Sequence, residues 1–151
     1  MSVATIVSLN ISTAKGTVKT PVAQVELRLE HGLVGDAHAG AWHRQVSLLA
    51  VEEIDRVRAQ GLSLAPGSFA ENITVAGLDL AALPVGTRLV SGEVELEITQ
   101  IGKTCHSRCA IHQLVGDCIM PRQGVFARVI RPGTLRQGDS IHLQAAPGEA
   151  P

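Results

Sequence analysis

Short apolar runs, cut again and again by glycine or proline, constrain this chain more than any other feature. Its 151 residues hold 15 Gly and 7 Pro, and few stretches between them are long enough for a helix. Ala4–Asn10, Val22–Leu29, Val46–Leu49, Ile73–Val75, Thr87–Val90, Val94–Gln100, Val125–Ile130 and Ser140–Leu143 read as strands by β-branched content and alternation. In the sixth of these, Val94, Leu96 and Ile98 alternate with Glu93, Glu95 and Glu97, which predicts a half-buried strand with one wet face. Pro132-Gly133 and Gly138-Asp139 read as turns between the last strands. Two stretches read as helix. Ala50–Gln60 puts Val51, Ile54 and Val57 on one face, sets Glu52 four residues before Arg56, and stops at Gly61. Thr104–Gly116 starts on a threonine that can cap it. Many short strands with one or two short helices predict a mainly β fold, a closed or nearly closed antiparallel β-barrel.

Composition narrows the function. The length suits one domain, read as residues 1–144 with a flexible tail over 145–151. Only 2% of residues are aromatic (Trp42, Phe69 and Phe126), so Val, Leu, Ile and Ala must fill the core. Three scattered rings cannot form the stacking platforms of a single-strand nucleic-acid binder. With 45% hydrophobic residues and a net charge of −1, the chain is not of the disordered type. No apolar run approaches the roughly 18 residues of a membrane helix, and the N-terminus lacks a signal-peptide pattern. A cytoplasmic protein without nucleic-acid or membrane partners is expected.

The net charge conceals an asymmetry. Residues 101–136 hold six basic side chains (Lys103, Arg108, Arg122, Arg128, Arg131, Arg136) against Asp117, a balance of +5, while residues 1–100 sum to −4. All three cysteines, Cys105, Cys109 and Cys118, lie in that basic stretch. Such a patch would concentrate an anionic ligand. It also fits a solvated face opposite acids from elsewhere in the fold. An odd, clustered set of cysteines is no disulfide framework and points to metal or thiol chemistry.

Three constellations can carry chemistry. The first is Gly102-Lys-Thr-Cys105-His-Ser-Arg-Cys109, with His112 and Cys118 behind it. On a helix from Thr104, Cys105 sits in the first turn, where the helix dipole, Lys103, His106 and Arg108 favour thiolate over thiol. Cys109 and Cys118, beside Ala110, Ile111 and Ile119, fit burial as small apolar residues equally well. Cys105, Cys109, His112 and Cys118 also make a four-ligand set, but the Cys-x3-Cys spacing is not that of a standard zinc knuckle. The second is the loop Gly32-Leu-Val-Gly35-Asp36-Ala-His38-Ala-Gly40-Ala-Trp42-His43-Arg44-Gln45, where glycines allow close backbone approach and Arg44 can read phosphate bidentately. There Asp36 and His38 could instead cap local backbone groups. The third is Pro66-Gly-Ser-Phe69-Ala-Glu71-Asn72-Ile73-Thr74-Val75, with Glu71 and Asn72 where loop becomes strand; Asn72 could equally close a turn. No phosphate loop, dinucleotide fingerprint or serine elbow is present.

In order and combination, these segments resemble the MOSC domain family, named for the C-terminal domain of molybdenum cofactor sulfurases. The resemblance rests on Gly32–Gly40 with Arg44–Leu49, Gly67–Val75, Leu83-Pro-Val-Gly-Thr-Arg88, Gly102–His106, Gly124-Val-Phe-Ala-Arg-Val129 and Gly138-Asp139. It spans Val3 to Leu143 and is similar above all to the small stand-alone bacterial branch. The resemblance implies a β-barrel-like fold and a functional cysteine that maps onto Cys105, as persulfide carrier or molybdenum ligand. It implies the molybdenum cofactor (molybdopterin) or another anionic pterin as ligand, with Asp36, His38, Arg44, Asn72 and Arg128 as candidate contacts. Cys109 and Cys118 are richer than the single cysteine common in the family, and keep a metal-binding or thiol-redox module open as the alternative. Full-length sulfurases carry a pyridoxal-phosphate desulfurase domain that this length cannot hold. Pyridoxal phosphate is therefore not expected on this chain, and any persulfide would come from a partner, a cysteine desulfurase or a molybdopterin-biosynthesis protein. The expected role is part of a molybdenum cofactor sulfurtransferase system.

Overall fold

The computed structural model of the protein describes residues 3–14, 18–59, 67–102 and 124–144. Its strands are β1 (Val3–Ile11), β2 (Thr20–Val22), β3 (Gln24–Arg28), β4 (Gly32–Leu33), β5 (Val46–Ala50), β6 (Ile73–Ala76), β7 (Arg88–Ser91), β8 (Val94–Ile101), β9 (Val125–Arg131), β10 (Gly133–Arg136) and β11 (Ser140–Leu143). A helix α1 (Val51–Arg58) and a single 3-10 turn at Leu80–Ala82 complete the described elements.

Strand order β11-β7-β8-β9-β5-β6-β1 closes on itself through pairing of β1 with β11, which makes a seven-strand barrel, and β2 adds beside β1. Alternation fills the interior: Ile6 and Leu9 of β1, Leu48 of β5, Ile73 and Val75 of β6, Leu96 and Ile98 of β8, and Val125 and Ala127 of β9 are all buried in one cluster. A three-stranded sheet, β10-β3-β4, contributes Val25, Leu27, Leu33 and Leu135 to the same core. The expected aliphatic barrel is thus present.

Three details differ from the sequence reading. One pair, β5 with β6, is parallel, because α1 and the chain after it form a crossover between them where a hairpin would have reversed direction. The expected strand Val22–Leu29 divides into β2 and β3, which join different sheets. And Pro132-Gly133 does not end the run: the chain passes from β9 into β10, which pairs with β3.

The helix runs over Val51–Arg58 within the expected 50–60, with Ile54 as its buried anchor against β5 and β6. Arg56 pairs with Glu53 at 2.9 Å and not with Glu52, because the Glu52 carboxylate accepts from Gly77 N at 3.0 Å. The expected second helix, Thr104–Gly116, lies outside the described residues.

The outer face of β8 is wet only in part: Glu93, just before the strand, is exposed, while Glu95 and Glu97 are covered. Glu97 lies opposite Arg88 and Arg128, and Glu95 opposite Arg131, on the flanking strands β7 and β9. Glu95 is buried and pairs with Arg88 at 2.6 Å and Arg131 at 3.1 Å; Glu97 pairs with Arg128 at 2.8 Å and Arg88 at 3.3 Å. Cross-strand arginines cover two of the three glutamates that alternation alone assigns to water.

Candidate functional site

The strand pattern that turns Leu9, Leu48 and Ile73 inward turns Ser8, Asn10, Ser47, Asn72 and Thr74 to the other face of β1, β5 and β6. All five are buried, under Lys19 and the segment from Gly67 to Glu71. Buried polar atoms need partners, and here they find one another. The Asn72 carboxamide oxygen accepts from Ser47 N at 3.0 Å, and its Nδ2 donates to Asn10 O at 3.1 Å, so one side chain ties three strands. Asn10 Nδ2 donates to Glu71 O and to Thr74 Oγ1, each at 3.1 Å, and the Thr74 hydroxyl donates to Glu71 Oε2 at 2.7 Å. Gly67 N donates to the same Oε2 at 3.0 Å, while Glu71 Oε1 has no partner among the described residues. Burial pushes the Glu71 carboxyl up in pKa, against the opposing bonds from Gly67 and Thr74.

Beside this network lies a buried ion pair. Lys19 Nζ donates to Asp36 Oδ1 at 2.7 Å with neither side chain exposed, and also meets Ser12 Oγ at 3.2 Å and His38 Nδ1 at 3.0 Å. Burial alone would raise the Asp36 pKa. The Lys19 hydrogen bond and charge, the Asn72 amide and the Ser12 N–H outweigh it and hold Asp36 below the usual carboxylate range. Asp36 Oδ2 also accepts from His38 N at 3.1 Å, and Trp42 Nε1 donates to His38 O at 2.8 Å. The loop from Asp36 to Trp42 is therefore held at both ends of its histidine.

Next in the chain, the Arg44 guanidinium carbon lies 4.6 Å from the Trp42 ring centre and 5.6 Å from that of Phe126 on β9. Its Nε is buried without a hydrogen-bond partner among the described residues. His43 is tied to the end of β8: Thr99 Oγ1 donates to His43 O, and His43 Nε2 meets Gln100 Oε1 at 2.9 Å. Gln100 Nε2 donates onward to Gly102 O at 2.7 Å, and Gly102 N donates to Gly124 O at 2.6 Å. Gly102 and Gly124 are therefore bonded to each other as a neck and, through Gln100 and His43, to the Trp42–Arg44 loop.

The expected site residues fall into four groups. Asp36, His38 and Arg44 come together in the loop described above. Asn72 is wholly buried with its amide bonded to Ser47 and Asn10, so it braces the strands and does not close a local turn. Arg128 lies on the outer face of β9, paired with Glu97, so part of the basic stretch does face acids from elsewhere in the fold. Lys103, Cys105, His106, Arg108, Cys109, His112 and Cys118 lie outside the described residues. Among the described residues no group of His, Cys, Asp and Glu is arranged to hold a metal ion. Sequence reasoning missed Lys19, Asn10 and Gln100, each of which binds its partners across long chain separations.

The MOSC domain model matches this sequence over residues 35–142. The chain belongs to the MOSC domain family. Solved structures similar to this MOSC domain include YuaD from Bacillus subtilis, with 21% identity, a TM-score of 0.77, and coverage of 93% of this chain and 97% of that one. YiiM from Geobacillus stearothermophilus shows 23% identity and a TM-score of 0.69 over 94% of this chain and 75% of its own. YiiM from Escherichia coli shows 20% and 0.67 over 99% and 72%. At these identities the likeness is one of fold. No curated protein matches the chain. No helix among the described residues is long and apolar enough to cross a membrane.

The family is linked to the molybdenum cofactor, whose pterin carries an anionic phosphate. The described residues of this MOSC domain fit an anion: the Arg44 guanidinium lies against the Trp42 and Phe126 rings, and its buried Nε has no partner among the described residues. The buried carboxylates do not oppose it, since Asp36 is neutralised by Lys19.

Proposed function

We propose that this MOSC domain binds the molybdenum cofactor, or a closely related anionic pterin, where the His38–Arg44 loop meets the Gly102–Gly124 neck. Cys105 is its thiolate, as molybdenum ligand or persulfide carrier. The observation that carries this reading is the Thr99–His43–Gln100–Gly102 connection, which fastens the arginine loop to the neck three residues before Cys105. Arg44 holds the phosphate, and Lys103, His106 and Arg108 favour the charged sulfur of Cys105. When bound, the cofactor supplies redox chemistry at molybdenum. The persulfide sulfur would come from a cysteine desulfurase or a molybdopterin-biosynthesis partner.

Pterin fluorescence after oxidation of the purified protein tests binding, and Arg44→Leu is expected to lower the pterin content at least tenfold. Mass spectrometry after incubation with a desulfurase and cysteine should show added sulfur on Cys105 and none in Cys105→Ala. Absence of both pterin and persulfide would sink the reading. Stoichiometric zinc or iron on Cys105, Cys109, His112 and Cys118 would replace it with the metal or thiol module.

A further inference from the structure

Asp36 and His38 stand as a carboxylate and an imidazole that almost touch, with Nδ1 3.9 Å from Asp36 Oδ2. In the usual carboxylate–histidine pair, Nδ1–H donates a hydrogen bond to the carboxylate, and Nε2 is left with a lone pair as a base or metal ligand. Here a third group intervenes. Lys19 Nζ lies 2.7 Å from Asp36 Oδ1 and 3.0 Å from His38 Nδ1, and Lys19 and Asp36 are buried at zero side-chain exposure.

An ammonium has three protons and no lone pair. Facing it, Nδ1 must accept, and the proton of the neutral imidazole then sits on Nε2. The three Lys19 protons have three acceptors: Asp36 Oδ1, His38 Nδ1 and Ser12 Oγ. The backbone fixes the geometry from both sides. Lys19 N donates to Gly67 O at 2.8 Å, and His38 N donates to Asp36 Oδ2 at 3.1 Å.

We propose that Lys19 is a positioning residue that selects the tautomer of His38: set between Asp36 and the ring, it makes the histidine present an Nε2–H donor in place of a basic or metal-ligating nitrogen. Whatever Nε2 meets, it meets as a donor, and the tautomer does not rest on the ligand reading above.

The test needs no ligand, so its failure leaves the cofactor reading standing and the reverse holds too. In nitrogen-15-labelled protein at a pH where the imidazole is neutral, long-range proton–nitrogen spectra report which ring nitrogen carries hydrogen. The His38 signals are assigned by their loss in His38→Gln. Wild type should show a lone-pair shift at Nδ1 and a protonated shift at Nε2. Lys19→Met, which leaves Asp36 alone beside the ring, should exchange the two, and Lys19→Arg, another pure donor, should restore the wild-type pattern. A proton on Nδ1 in wild type overturns the proposal, as does folded Lys19→Met that keeps it on Nε2. Should Lys19→Met not fold, the wild-type lysine decides: slowly exchanging Nζ protons coupled to His38 Nδ1 support the proposal, and an ammonium in fast exchange with water overturns it.

Discussion

Glu71 bonds one carboxyl oxygen to Gly67 and Thr74 and has no partner for the other among the described residues, in a place without exposure. Because burial raises its pKa, the folded protein holds the neutral acid above the pH, about 4.3, at which an unfolded chain ionises. A raised pKa fixes the sign. The stabilising contribution is complete below that pH and is lost as pH rises through the folded value. Glu71→Gln removes the titration while leaving an oxygen for Gly67 and Thr74. Relative to wild type it should gain stability as pH rises, by up to about 1.4 kcal/mol per unit inside the window. Urea unfolding between about pH 5 and pH 8 measures this, and Asp36, whose shift has the opposite sense, cancels between the two proteins. Parallel profiles would mean that Glu71 is not neutral in the fold. The polar start of this strand was legible in the sequence, but its partners were not. Asn72 binds Asn10 and Ser47 across separations of 62 and 25 residues. Lys19 likewise finds Asp36 17 residues on, and nothing local distinguishes it from a lysine in water.

Between the elements, the turn from Gly67 to Asn72 must follow an unusual path to bring Glu71 and Asn72 under β1. Gly67 takes φ 91°, and a Cβ there would collide with the Lys19 carbonyl; Ala70 takes φ 65° although it has a Cβ. Opposite outcomes follow from two small changes three residues apart. Gly67→Ala should destabilise by about 2 kcal/mol or more, since strain and collision add. Ala70→Gly should gain up to about 1 kcal/mol, the relief of the left-handed conformation less the entropy of glycine in the unfolded chain. Thermal melts of both variants read the pair, and a stabilised Gly67→Ala would contradict this backbone path. Alternation made most strands legible, because the barrel interior takes every second residue from each. It failed where neighbours decide. The glutamates of β8 are covered by arginines of β7 and β9, and β10 is visible only through its pairing with β3.

Over the whole molecule, closure depends on strands far apart in sequence. β1 pairs with β6 on one side and with β11 on the other, so the first and last strands among the described residues complete the ring. The stretch matched by the family model, residues 35–142, begins after β1 to β4. That stretch carries Arg44, Glu71 and Cys105 but lacks Asn10, Lys19, and the Ile6 and Leu9 side chains of the core. Without β1, both β6 and β11 would present unpaired edges, and Asn72 and Thr74 would lose the asparagine that satisfies them. A fragment of residues 35–142 should therefore not fold on its own. Circular dichroism and limited proteolysis of the fragment, alone and with a synthetic peptide spanning β1 to β4, distinguish the outcomes. Cooperative unfolding of the isolated fragment would show that the barrel can close without β1. Recovery of structure only with the peptide would show that the match contains the chemistry while the strands before it complete the scaffold that holds it.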